Sequence, residues 1–129
     1  MGEAAREPEL AGVQVLIVDD NVDALEVLRH FLEYHGALVR AALNASDALD
    51  ILGYVTPDLV ITDLAMPGMS GARLVKDIRK RARGIAVPVV ALTAFPETYA
   101  RSAESFEAYL TKPLDPARFF KVVAPLIGR

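Results

Sequence analysis

Two hydrophobic rhythms alternate along the chain. Val13 to Val18 reads Val-Gln-Val-Leu-Ile-Val, an almost continuous β-branched run of the kind shown by a strand buried on both faces of a parallel sheet. Similar runs recur at Ala37 to Ala41, Asp58 to Thr62, Val87 to Leu92 and Glu107 to Thr111. Between them the apolar residues take helical spacing, at Val22, Leu25, Leu28 and Leu32, then Ala48, Leu49 and Leu52, then Leu74, Val75 and Ile78. Phe119, Phe120, Val123 and Leu126 mark a final helix, whereas Pro96 to Ser105 has weaker periodicity.

Punctuation residues agree with these rhythms. Asp115 before Pro116 sets a capping acceptor ahead of a proline at the first helical position, where the missing N–H costs nothing. Gly53 can end the second helix, and Pro57 separates it from the third strand. Pro125 deletes a backbone bond inside the last helix, so fraying or a bend is expected there. Alternating strands and helices with right-handed crossovers predict an α/β fold. Its form is a doubly wound (βα)5 sandwich with a parallel five-stranded sheet in the flavodoxin-like order 2-1-3-4-5. That order sets the ends of strands 1 and 3 side by side, where ligand chemistry in such sheets resides. Residues 1–12, rich in Glu, Ala and Pro, read as a flexible N-terminal tail, and residues 13–127 as one domain.

Composition narrows the function classes. A length of 129 residues suits one ordinary domain, and 53% hydrophobic with 24% charged residues argues against disorder. The formal net charge of −3 gives no support to a nucleic-acid or anionic-membrane surface, both of which need a clustered basic excess. Arg79, Lys80, Arg81 and Arg83 form a small basic group, but such residues at a helix end are favoured by its dipole and read as solvated. The chain has no cysteine, which removes disulfides, thiolate metal sites and cysteine nucleophiles. His30 and His35 are off the spacing that aligns two metal ligands on a helix, and read as surface or packing residues. No apolar run has the length of a membrane span and the first residues lack a signal-peptide layout, so a cytoplasmic protein is expected.

The predicted carboxyl ends of the strands carry Asp19 and Asp20, Asp63, Thr93 and Lys112. Three neighbouring carboxylates repel one another, and either raised pKa values or a bound cation offsets the cost. Oxygen donors favour Mg²⁺ over zinc. With a cation in place Asp63 is a credible nucleophile toward a phosphoryl group, a reaction that needs positioning and charge stabilisation above all. Lys112 brings a compact positive charge and Thr93 a hydroxyl donor.

Val18-Asp19-Asp20-Asn21, Asp63-Leu64-Ala65-Met66-Pro67-Gly68-Met69-Ser70-Gly71, Thr93-Ala94 and Tyr109-Leu110-Thr111-Lys112-Pro113 together resemble the response-regulator receiver family of two-component signalling. The resemblance covers residues 13–127 and implies that Asp63 is the phosphoacceptor. It implies that Asp19, Asp20, Asp63 and the backbone carbonyl of Ala65 hold Mg²⁺, or Mn²⁺ in its place, and that Thr93 and Lys112 contact the phosphoryl group. Tyr109 becomes an aromatic switch coupled to Thr93, against the plainer reading of a packed strand aromatic, and Lys112–Pro113 a cis peptide. The implied partners are a sensor histidine kinase or histidine phosphotransfer protein as donor, a downstream protein target, and a second copy in a homodimer; nucleic acid and membrane are not among them. The implied activity is a phosphorelay switch, not an enzyme. Ala65 and Phe95, which flank the phosphoryl group in the family, cannot orient a water, so slow autodephosphorylation is expected.

The chain departs from the family pattern between Thr93 and Lys112, which lie a few residues closer together, with Ser105 where the family has Gly. A short or irregular fourth helix is therefore expected. Other function classes stay open on the residues alone. One is a receiver-like interaction scaffold that is not phosphorylated. A Mg²⁺-dependent phosphatase would carry Asp-x-Asp after strand 1, but Val22 stands two residues past Asp20. A flavin or nucleotide module would need a Gly-rich first loop, and this one is acidic.

Overall fold

Each predicted strand run becomes a strand, and the helical stretches between runs become helices. The computed structural model describes residues 9–64, 71–81, 87–94 and 106–129. The strands are β1 (Gln14–Val18), β2 (Leu38–Ala42), β3 (Leu59–Asp63), β4 (Val89–Thr93) and β5 (Ala108–Thr111). The helices among the described residues are α1 (Val22–Tyr34), α2 (Ala45–Leu52), α3 (Gly71–Arg81) and α4 (Pro116–Leu126). All strand pairs are parallel and the sheet order is β2-β1-β3-β4-β5. This is the doubly wound order the hydrophobic runs predict. Residues 95–105, where the sequence predicts a short or irregular fourth helix, lie outside the described residues.

Strand alternation feeds two cores. Val15 and Ile17 of β1 join Leu25, Leu28 and Leu32 of α1 and Phe119 and Val123 of α4 on one face. Leu16 and Val18 join Ala45, Ala48, Leu74, Val75 and Ile78 on the other. Because successive strand side chains point to opposite faces, a strand covered by helices on both sides has to be apolar throughout. Every residue of β4 is buried, and of β3 all but the terminal Asp63.

Helix ends follow local chemistry. Asn21 accepts from the Ala24 N–H at 3.0 Å, Asn44 from Asp47 at 2.8 Å, and Asp115 from Arg118 at 3.3 Å with Pro116 at the first helical position. Gly53 is the C-cap of α2. Pro125 sits in the last turn of α4, which ends one residue beyond it at Leu126. Gly36, at φ 98°, gives the left-handed turn from α1 into β2. No helix among the described residues is long and apolar enough to cross a membrane.

Two features differ from the sequence reading. Residues 9–12, read there as tail, pack on the domain: Leu10 is 1% exposed within the first core, and its N–H donates to the His35 carbonyl at 2.8 Å. Glu9 pairs with His35 Nδ1 at 3.0 Å, and Arg129 donates to the Ala11 carbonyl at 2.6 Å. A single leucine in a polar stretch has no periodicity to announce it. Arg79, read as a solvated helix-end cation, instead donates to both carboxylate oxygens of Glu107 at 2.6 and 2.8 Å, and to the Val87 carbonyl. Glu107 also accepts from the Val89 N–H at 2.7 Å, so one carboxylate ties α3 to the starts of β4 and β5.

Leu10→Ala is expected to lower the unfolding free energy by about 2–4 kcal/mol, the cost of a core cavity, as measured by urea denaturation. Glu107→Ala should cost about 1–2 kcal/mol, because it takes the carboxylate from Arg79 and leaves the Val89 N–H without its side-chain acceptor. Glu26→Ala removes the loose pairs with Arg29 at 3.8 Å and His30 at 3.7 Å on the outer side of α1 and should change stability by less than about 1 kcal/mol.

Candidate functional site

The carboxyl ends of β1, β3, β4 and β5 meet at one edge of the sheet. In register, Val18 lies beside Thr62, Asp63 beside Leu92, and Thr93 beside Thr111. Asp19 and Asp20 follow β1, Asp63 closes β3, Thr93 closes β4 and Lys112 follows β5. Five residues widely separated in sequence are thus delivered to one place by strands whose register is fixed by burial on both faces.

Asp19 is held at several points. Its N–H donates to the Ala42 carbonyl at 3.1 Å, its Oδ1 accepts from the Asn21 N–H at 3.0 Å, and its Oδ2 lies 3.3 Å from Lys112 Nζ. The side chain that caps α1 belongs to Asn21, so neither Asp19 nor Asp20 performs that task. Lys112 Nζ also lies 3.4 Å from Asp63 Oδ2, and the Asp19 and Asp63 side chains are only 10% and 12% exposed. Asp20 is exposed. One oxygen from each of Asp19, Asp20 and Asp63 falls within 4.8 Å of the others. Among the described residues, the three carboxylates outnumber the Lys112 ammonium and leave a surplus of negative charge in a half-shielded crevice, where charge interactions exceed those in water. The donor set is all oxygen and acidic, which fits a hard divalent cation and not a thiolate or imidazole metal.

Thr93 is 2% exposed, and its carbonyl accepts from the Lys112 N–H at 2.9 Å, fixing the end of β5 against the end of β4. The Lys112–Pro113 peptide is cis. Thr62 is fully buried, and its hydroxyl donates to the Asp63 carbonyl at 3.0 Å, which satisfies a polar group in the core and steadies the backbone of Asp63. Beside Lys112 opens an apolar cleft of about 490 Å³ between α1 and the loop into α4, lined by Ala24, Val27, Phe31, Pro113 and Leu114 among others.

A profile of the response regulator receiver domain matches residues 15–124. The chain belongs to the response-regulator receiver family. A 14.6 kDa protein in the sodA1 3′ region of Leptolyngbya boryana is 40% identical over 117 residues, covering 88% of this chain and 89% of that protein. PilH of Pseudomonas aeruginosa is 31% identical over 118 residues, covering 89% and 98%. Among solved structures, the receiver domain of the sensor histidine kinase PA1611 from Pseudomonas aeruginosa, with a magnesium ion coordinated in its active site cleft, superposes with a TM-score of 0.83. It is 26% identical, covering 92% of this chain and all of that one. The protein is therefore a receiver of two-component signalling, with an acidic cluster at the site such domains use for phosphorylation.

The receiver structure brings Asp19, Asp20, Asp63, Thr93 and Lys112 together. Tyr109 lies on the edge strand β5, opposite Ala91, with its ring centroid 5.4 Å from that of Phe106. Ala65 and Phe95 lie outside the described residues. The sequence reading missed two contributors. Thr62 reads as an ordinary strand residue, and its bond to Asp63 has no sequence signal. Phe106 stands three residues before Tyr109, just ahead of β5, an aromatic pairing that could have drawn notice.

Asp63→Asn removes one of the clustered negative charges and should raise the unfolding free energy by about 1 kcal/mol in low-salt buffer containing a chelator. Added divalent cation should stabilise the unaltered receiver more than the variant and so erase that difference; urea denaturation with and without the cation reads both effects.

Proposed function

We propose that Asp63 is the phosphoacceptor and that the donor is a phosphohistidine on a sensor histidine kinase or histidine phosphotransfer protein. The observation that carries this reading is the Asp63 carboxylate, 12% exposed, facing Lys112 Nζ at 3.4 Å within the acidic cluster. A carboxylate oxygen of Asp63 attacks phosphorus; the new O–P bond forms as the donor N–P bond breaks, and the imidazole leaves with the electron pair. Lys112 offsets the charge of the phosphoryl oxygens as they approach, and Thr93, at the neighbouring strand end, supplies a hydroxyl donor. Asp19 is oriented by the Asn21 N–H and the Ala42 carbonyl, so its outward oxygen stays fixed while the phosphoryl group arrives.

Asp19, Asp20 and Asp63 would hold Mg²⁺, with Mn²⁺ as a substitute, and the Ala65 carbonyl is carried over from the family pattern as a further ligand. Bound there, the ion would supply the positive charge that lets an anionic nucleophile meet an anionic phosphoryl group. The magnesium in the PA1611 receiver supports the same choice for this chain. Tyr109 is the residue that carries the change outward, responding to movement of Thr93. The output is a shift between two arrangements of this edge, which requires the phosphoryl group to interact differently with each.

Incubation with Mg²⁺ and acetyl phosphate should add one phosphoryl mass, absent from Asp63→Asn and from reactions with chelator; intact mass spectrometry reads it. Addition that survives Asp63→Asn would place the acceptor elsewhere, and no addition to the unaltered chain would favour the interaction scaffold.

A further inference from the structure

Phe106 stands just ahead of β5, partly buried against the core that α2 and α3 cover, where it joins Val87 and Val89. Tyr109, three residues on, lies opposite Ala91 in the register of β4 and β5, and Thr93 lies opposite Thr111. Val89, Ala91 and Thr93 share one face of β4 by strand alternation, and Val89 assigns that face to the α3 side. The Tyr109 ring therefore has Phe106 toward the start of the strand and Thr93 toward its end. Ala91, opposite it, contributes only a methyl group. The ring rests at the Phe106 end, with centroids 5.4 Å apart and planes inclined by 59°.

Phe106 is not free to follow if Tyr109 moves. The next residue, Glu107, donates its N–H to the Val89 carbonyl at 2.9 Å and accepts the Val89 N–H at 2.7 Å. Arg79 holds the same carboxylate from α3. The start of β5 is thus fixed to β4 by backbone and side chain together.

We infer that Phe106 is a positioning residue for the switch: its ring retains Tyr109 at the start of β5, and movement of Tyr109 toward Thr93 breaks this aromatic contact. The inference rests on the reading of Asp63 as acceptor and Tyr109 as the responding group. Because the contact exists in one arrangement only, it opposes phosphorylation-linked switching. A side chain that interacted equally in both arrangements would shift nothing.

The test uses the full chain labelled with fluorotyrosine, with beryllofluoride and Mg²⁺ as phosphoryl mimic; Tyr109→Phe assigns the Tyr109 resonance among the four tyrosines. Phe106→Leu keeps apolar volume against the core and removes the ring. It should shift the Tyr109 resonance before the mimic is added and tighten apparent beryllofluoride affinity about 2- to 10-fold, the worth of one aromatic pair. Phe106→Tyr restores a ring and should return both readings to those of the unaltered chain. In a Tyr109→Ala background Phe106→Leu should leave affinity unchanged, which separates positioning of Tyr109 from a general packing effect. Unchanged affinity in Phe106→Leu, or the same gain without the Tyr109 ring, overturns the inference while leaving Asp63 as acceptor. Failure of the unaltered chain to take up beryllofluoride overturns the Asp63 reading, and this inference with it.

Discussion

Mutual repulsion among Asp19, Asp20 and Asp63 is the constraint around which the rest of the receiver is arranged. Oxygens of like charge within 4.8 Å cost on the order of a few kcal/mol per pair where solvent is partly excluded. Lys112, 3.3 Å from Asp19 and 3.4 Å from Asp63, offsets part of that cost but, among the described residues, is one cation facing three anions. The remainder is available to whatever positive ion enters, which is why a site built this way can be stable enough to fold and still take up a cation readily.

Such a cluster persists only on a scaffold that does not yield to it. Both faces of the sheet are covered, so a slip of one residue in β3 would turn core residues into the opposite core and carry Asp63 away from the site. Val60, Ile61 and Thr62 are buried to within 2% exposure, and the Thr62 hydroxyl spends its hydrogen bond on the Asp63 carbonyl. At the first strand end the division of labour is similar: Asn21 caps α1, leaving the two aspartates to the site. The apolar interior and the polar edge are thus parts of one arrangement, since burial fixes the register that gathers the charges.

What could be read from the sequence follows from how local each signal is. The strand runs, the Asp115 cap and the strand-end polar residues are local patterns with a fixed period or position, so sheet order and the gathering of five polar residues at the strand ends were legible. The Arg79–Glu107 pair joins residues 28 apart through side chains, and a basic helix end looks the same whether solvated or paired. Leu10 reaches the core from a polar stretch where one leucine makes no pattern. Thr62 illustrates the same limit from inside a strand: its fold role is plain from β-propensity, its hydrogen bond to the Asp63 carbonyl is not.

The two ends of β5 set which motions the proposed switching at Tyr109 can use. At one end the Lys112 N–H is bonded to the Thr93 carbonyl at 2.9 Å, and at the other the Glu107 N–H is bonded to Val89 at 2.9 Å, with the Arg79 pair outside it. A short strand held at both ends does not slide along its neighbour without breaking these bonds and losing the burial of Leu110. The freedom left to it, within the described residues, is rotation of side chains at the sheet edge, where Tyr109 is only half-buried while Leu110 beside it is buried in the first core. The proposed response of Tyr109 to Asp63 suits this strand, because a ring that changes its partner exchanges one modest contact whereas movement of the strand breaks several backbone bonds at once.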